Sequence, residues 1–363
     1  MDDKKYWVAF GKSLKIGYAT ISLLLKYFGN LEKAWIEGRL SDFEKAGLRK
    51  DLALEILEMQ RKISPDEELE NIQKQGIDVL IYKDKAYPKI LKEIFSPPAI
   101  LYIRGKFTEA DEFSLGVVGT RRFSDYGKQA TQEITYGLAK AGLTTISGLA
   151  VGIDTEAHKS ALEAGGRTIA VLGGGIDDKS IFPSVNRKLA EKIIENGAVI
   201  SEYSPETASL KQNFPARNRI IAGLSLGVLV IEAGKESGAL ITARDALEQG
   251  KDVFAVPGAI YSKTSEGSNN LIKLGAKLVT SYEDILGELN IESAKRLIEN
   301  REILPESDEE AEILKHLSKE PIHIDFLIQK TKMNAKEVNS TITLMEIKGK
   351  VRHLGGMNYI IGY

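Results

Sequence analysis

Cysteine is absent from this 363-residue chain. That excludes disulfides, thiol nucleophiles and thiolate zinc sites, and it fits a reducing cytoplasm. Long apolar runs are missing as well. None approaches the length of a membrane span, and the charged start Met1–Lys5 is unlike a secretory leader, so neither a transmembrane helix nor a signal peptide is expected. Neither charge sign is in excess: 49 Lys and Arg stand against 51 Asp and Glu, a formal net charge of -2. Contact with a polyanion must therefore rest on a local basic surface. The chain also has no Walker A lysine pattern. Its glycine-rich segments lack the full dinucleotide fingerprint and the acidic residue that would bind a ribose, which weighs against nicotinamide chemistry. No metal or cofactor is expected.

What is present suffices for a large core in two or three domains, with 43% hydrophobic residues. Residues 1–64 carry helical spacing, with Leu23–Phe28 stopped by Gly29-Asn30 and a second unit around Phe43, Gly47 and Leu52–Met59. Short helices joined at glycines resemble sterile-alpha-motif-like or helix–hairpin–helix modules that touch DNA backbones; a plain helical packing domain fits equally well. Pro65 and the acidic Asp66–Glu70 suggest a boundary. The stretches Val79–Tyr82 and Ala99–Ile103 follow as extended chain.

From 113 to 285 short apolar runs alternate with helical patterns. The runs are Leu115–Val118, Thr144–Ile146, Thr168–Leu172, Ala198–Ile200, Leu226–Ile231, Val253–Val256 and Ala276–Val279. Such alternation predicts repeated βαβ units around a parallel sheet, a Rossmann-like α/β domain spanning 65–289. Residues 290–307 read as a charged linker. In 308–363, three helical patterns (Ala311–Leu317, Ile324–Lys330, Ala335–Ile347) precede two short strands around Gly355-Gly356, the pattern of a winged helix. Its candidate recognition helix offers Lys336, Asn339, Thr341 and Thr343, only a weakly basic face, which favours protein contact or weak duplex binding.

Loops at strand C-termini are where open α/β sheets place ligands. Gly119-Thr120-Arg121-Arg122 follows the first parallel strand, and a glycine turn opening a helix suits a phosphate, with guanidinium groups to match its oxygens. Ser147-Gly148 after the next strand offers a hydroxyl and backbone donors. His158, one turn beyond Asp154, has no nucleophile near it in sequence, and a structural hydrogen bond is its expected role. Gly173–Gly175 implies backbone freedom or a close ligand. Lys211-Gln212-Asn213-Phe214-Pro215-Ala216-Arg217-Asn218-Arg219 places three cations around one aromatic ring: the cations suit phosphates and Phe214 a base. The alternative makes Phe214 core and Arg217 with Arg219 a helix-surface pair. The loop 232–239 is a further candidate for a phosphate or a pocket wall.

Taken in order, Val-Gly-Thr-Arg at 118–121, Ser-Gly-Leu-Ala-Val-Gly-Ile-Asp at 147–154, Phe-Pro-Ala-Arg-Asn-Arg-Ile-Ile at 214–221, Ser-Gly-Ala-Leu-Ile-Thr-Ala at 237–243 and Glu-Gly-Ser-Asn at 266–269 closely resemble the DNA-processing protein A family, also called DprA or Smf. The resemblance implies a non-catalytic cytoplasmic protein that binds single-stranded DNA, protects incoming strands during natural transformation and helps load the RecA recombinase. It also implies a homodimer formed through the Rossmann-like domain. Carried over by motif, Arg121, Lys211 and Phe214 contact phosphate and base, Gly119, Thr120, Ser147, Gly148 and Asn218 shape the pocket, and Arg217 supports it. Arg122 and Arg219 join the expected site by charge alone. The rival from another class is a phosphoribohydrolase of the lysine-decarboxylase-like Rossmann group. Its Pro-Gly-Gly-x-Gly-Thr signature is missing where this chain reads Glu232–Gly238, although Glu232 and Glu236 remain conceivable acid–base groups.

Overall fold

The structure is a computed structural model, and it describes residues 3–290, 307–318, 321–347 and 350–361. It forms two compact units, Met1–Leu289 and Asn290–Tyr363. The linker expected at 290–307 lies, but for its two end residues, outside the described residues.

The first unit opens with helices α1 (Lys4–Phe10), α2 (Tyr18–Phe28), α3 (Leu31–Ile36), α4 (Leu40–Lys45), α5 (Lys50–Lys62) and α6 (Pro65–Lys74). Gly29 ends α2 at φ 83°, a left-handed turn that a side chain would strain. The acidic segment expected as a boundary instead begins α6. Ser64 accepts from the Glu67 N–H, Pro65 takes the first helical position, and Asp66, Glu67 and Glu68 sit in the first turn. Packing crosses the expected 64/65 boundary too. Trp7, Phe10, Leu52 and Ile56 share one buried cluster with Ile100, Tyr102 and Val199 of the sheet and Ile193 of the helix at 187–196.

Strand β1 (Asp78–Ile81), helix α7 (Lys89–Lys92) and strand β2 (Ile100–Gly105) lead into the α/β alternation. It runs β3 (Ser114–Val118), α8 (Asp125–Lys140), β4 (Thr144–Ser147), α9 (Ile153–Glu163), β5 (Thr168–Val171), α10 (Arg187–Asn196) and β6 (Ala198–Ser201). It continues through α11 (Asn213–Leu224), β7 (Gly227–Val230), α12 (Ala239–Glu248), β8 (Asp252–Ala255), α13 (Glu266–Lys273), β9 (Lys277–Leu278) and α14 (Tyr282–Glu288). Each of the seven apolar runs is a strand, shifted at most by a residue or two.

Among the described residues, the strands of this unit make one sheet in the order β1-β2-β6-β5-β4-β3-β7-β8-β9. From β6 to β9 neighbours are parallel, while the β1–β2 hairpin joins β6 antiparallel. Strands β3 to β7 are buried on both faces, as a sheet covered by helices on each side requires. In β5, Ile169 and Val171 enter one core cluster and Ala170 the opposite one, the two-residue alternation of a pleated strand. Buried hydroxyls in the sheet are satisfied internally: Ser114 donates to Leu224 O at 2.6 Å and Thr168 to Thr145 O at 2.8 Å.

The chain moves outward from β3 through β4 and β5 to β6, and α11 then carries it back to β7 on the other side of β3. The direction of winding reverses there, so a crevice opens at the C-terminal ends of β3 and β7, the switch point of open α/β sheets.

In the second unit, helices Asp308–Leu314, Ile324–Thr331 and Ala335–Ile347 pack around Ile313, Leu327, Val338, Ile342 and Met345. Strands Val351–Gly355 and Asn358–Ile361 form the hairpin, and Ile322–His323 adds a third strand against Asn358–Tyr359. This is the winged-helix arrangement. Lys350 Nζ lies 2.6 Å from the carboxylate of Glu310, both nearly buried, and ties the start of the hairpin to the first helix.

Candidate nucleic-acid interface

A cleft of about 880 Å³ occupies the switch point. Four elements build it: the β3–α8 loop with Gly119–Arg122, the β4–α9 segment with Ala150 and Asp154, the start of α11 with Phe214, Arg217 and Asn218, and the β7–α12 loop from Gly234 to Ala239. Lys211, just before α11, completes the rim. Positions 214, 217, 218 and 221 all face the cleft, the i, i+3, i+4, i+7 stripe of one helical face.

Phe214 is half-buried at the centre. The guanidinium of Arg121 lies 5.7 Å from its ring centroid and that of Arg217 5.9 Å, both within cation–π range. Gly173 makes room for the ring, since a Cβ there would meet Phe214 at 3.0 Å. Arg121, Arg122 and Lys211 are exposed, free to reach an anion without losing a buried contact.

Arg217 differs from them, being 4% exposed. It donates to the Val171 carbonyl oxygen, while its Nε is buried with no hydrogen-bond partner. Burial pulls its guanidinium down to about 10; the Asp154 carboxylate opposes that shift and Arg121 adds to it. Asp154 is shifted the other way, raised by burial against the pull of Arg217. It accepts from the Gly148 N–H at 3.1 Å and the Ala150 N–H at 3.4 Å. Gly148 permits this stacking of loop on guanidinium, because a Cβ would stand 2.1 Å from Arg217. The cleft thus has a charged floor with an unmade hydrogen bond, a standing cost.

Several expected roles change in the folded chain. The Thr120 N–H is not free for a phosphate, since it donates to Glu232 O at 2.7 Å. Nor is the N-terminus of α8 open. Ser124 caps it, and the Glu232 carboxylate accepts from Ser124 N at 2.9 Å, Ser124 Oγ at 2.7 Å and Thr264 Oγ1 at 2.8 Å. The anion expected at this helix end is the protein's own, a buried carboxylate engaged by three donors. Ser147 is fully buried and donates to Val117 O at 2.6 Å; with Gly148 it supports the cleft from behind rather than lining it. Arg219 is turned away from the cleft and forms a two-pronged pair with Glu202, at 2.9 and 2.6 Å. Asn218 lines the cleft and donates to Gly238 O at 3.4 Å. His158 is buried, 2.7 Å from Thr168 Oγ1, and burial holds its ring down to about 3, with the Arg217 charge acting in the same direction. It serves the core as a neutral imidazole.

Sequence comparison agrees with the geometry. The profile of the DNA recombination-mediator protein A family matches residues 78–290, and that of the DprA winged helix domain residues 299–357. Protein Smf of Synechocystis is 35% identical over 393 residues, covering 98% of each chain. The DNA processing protein DprA of Streptococcus pneumoniae is 40% identical over 265 residues, 73% of this chain and 91% of its own. The X-ray structure of that S. pneumoniae protein superposes with a TM-score of 0.69 and 38% identity, covering 79% of this chain and 99% of the other. A Helicobacter pylori DNA processing protein A structure, reported for its single-stranded DNA binding mode, superposes with a TM-score of 0.53 and 30% identity over 60% of this chain and 96% of that one. With its Rossmann-like sheet, switch-point cleft and winged helix in this order, the chain belongs to the DNA recombination-mediator protein A (DprA/Smf) family.

Proposed function

We propose that the switch-point cleft binds single-stranded DNA without sequence preference and without chemistry. The observation that carries this reading is Phe214, a half-buried ring with two guanidinium groups 5.7 and 5.9 Å from its centroid in an open cleft. A base stacks on such a face whatever its identity, while Arg121, Arg122 and Lys211 take successive phosphates. A duplex would keep its bases inside and leave the ring unused. Engagement of Glu232 by three donors speaks against base release from a nucleotide. The binding mode reported for the H. pylori relative supports the same reading.

On this reading and its family membership, the protein is a cytoplasmic homodimer that shields incoming strands in natural transformation and recombination and hands them to the RecA recombinase. Among the described residues no helix is long and apolar enough to cross a membrane. The winged helix serves protein contact or weak duplex binding. Its candidate groove-facing side chains are partly spent on their own helix: Asn339 donates to Ala335 O and Thr343 to Asn339 O, each at 2.7 Å.

Fluorescence anisotropy of labelled oligo-dT against a duplex of the same length, across a salt series, tests the proposal. Strand-selective binding is expected, with log affinity falling linearly with log salt by about 0.7 per neutralised phosphate. Equal affinity for strand and duplex, or binding of a mononucleotide as tight as that of the strand, refutes it.

A further inference from the structure

We propose that Phe182 is a second base-stacking platform, which extends the single-strand path from the cleft onto the β5–α10 loop; this rests on the cleft being the strand-binding site. The ring centroids of Phe182 and Phe214 lie 6.1 Å apart with their planes inclined at 51°. Rings so tilted are not stacked face to face, so neither covers the face of the other. Phe182 is 53% exposed, far more than a side chain of its size needs to be if it merely covered the core. Neighbouring Val185 is 73% exposed and continues the apolar surface outward.

The loop that carries Phe182 is pinned on both sides. Before it, Asp177 accepts from the Ser180 N–H at 3.1 Å and the Glu206 N–H at 2.7 Å, and Ile181 is buried. After it, buried Asn186 donates to Leu149 O and Thr155 Oγ1, both at 2.8 Å. An exposed aromatic on a fixed backbone gives up little freedom when a base lands on it, the property that makes a good platform. Lys179, Arg187 and Lys188 on the same segment are exposed and supply charge for the phosphates of this longer path. Successive bases therefore lie on Phe214 and Phe182, with the strand passing from the Arg121 end of the cleft over both rings.

The test measures oligo-dT binding by the full chain and its Phe182→Ala, Phe182→Trp and Phe214→Ala variants, on intact strands and on strands of abasic sites, across salt. Loss of a stacked base predicts affinity for the intact strand lowered by about 5- to 150-fold in Phe182→Ala. An unchanged salt slope, near-normal binding of the abasic strand and recovery in Phe182→Trp are expected with it. Wild-type affinity in Phe182→Ala, with Phe214→Ala impaired, overturns the second platform and leaves the cleft reading standing. Wild-type affinity in both overturns the cleft reading itself. Equal losses on intact and abasic strands mark a collapsed loop and also overturn the stacking role.

Discussion

Gly127 lies inside α8, where an alanine would ordinarily gain about 1 kcal/mol of helix stability. Here the outcome should be reversed. A Cβ at 127 would stand 2.0 Å from Glu232 Oε2, 2.5 Å from its Cδ and 2.9 Å from its Cγ. The carboxylate would have to leave its seat at the α8 N-terminus and give up its bonds from Ser124 and Thr264. Hydrogen bonds to a charged group contribute roughly 1.5–3 kcal/mol each. Taking the low end for all three and subtracting the helix gain, Gly127→Ala should destabilise this unit by about 3.5 kcal/mol. The three atoms nearest the new methyl all belong to the Glu232 side chain beyond its Cβ. Once Glu232→Ala has removed them, the methyl has space. The double variant should therefore be no less stable than Glu232→Ala alone, which makes the coupling as large as the Gly127→Ala effect itself. Equilibrium urea unfolding followed by tryptophan fluorescence measures this cleanly, because both tryptophans, Trp7 and Trp35, lie in the Met1–Leu289 unit. A Gly127→Ala loss under about 1 kcal/mol, or simple additivity in the double variant, would refute the view that Glu232 fills this helix end.

Other consequences are tested more directly. Arg121→Ala and Lys211→Ala should weaken oligo-dT binding and each lower the salt slope by about 0.7, whereas Phe214→Ala should cost about 1–3 kcal/mol with the slope unchanged; anisotropy titrations separate the two patterns. Arg219→Ala should bind oligo-dT within about twofold of wild type and lose roughly 1–3 kcal/mol in urea unfolding, because its partner is Glu202 and not the strand. A tenfold affinity loss would return Arg219 to the site. His158 is held down to about 3 when folded, while an unfolded histidine titrates near 6.5. Below that value the unfolded chain takes up a proton that the folded one refuses, so stability is full above pH 6.5 and falls as the pH drops towards 3. Between pH 6.5 and 5 this amounts to about 2 kcal/mol, which His158→Gln should not lose in pH-dependent urea melts.

Most of the fold was legible because the apolar runs of a two-faced parallel sheet are short, continuous and evenly spaced, as in Thr168–Val171 and Gly227–Val230. The cleft is legible in part for a related reason: switch-point loops follow strand ends, and the cleft is lined by Gly119–Arg122 and by residues of the 232–239 loop. The Pro65–Glu70 segment reads as a boundary because Pro and charge punctuate linkers, yet Ser-Pro followed by acidic residues is equally a helix start, and here it opens α6. Glu232 stands out in the sequence only as a conceivable acid–base group; its place at the α8 N-terminus has no local signal, since Ser124 lies 108 residues away from it. Phe182 sits in no periodic pattern either; only its folded distance to Phe214 brings it to attention.

The two arginines of α11 show where charge alone misleads. Arg217 and Arg219 are two residues apart, which in an α-helix turns one about 200° from the other. They cannot share a face, so at most one could serve the cleft that holds Phe214. The stripe decides which. Phe214 and Arg217 are three apart and lie over one another, and the observed 5.9 Å between guanidinium and ring is that spacing realised. Arg219 falls on the opposite side, where Glu202 at the end of β6 meets it. Once Phe214 was placed in the site, the helix period already excluded Arg219. The burial of Arg217 was the part that required the fold, because it depends on Gly148 leaving space for a guanidinium from another element.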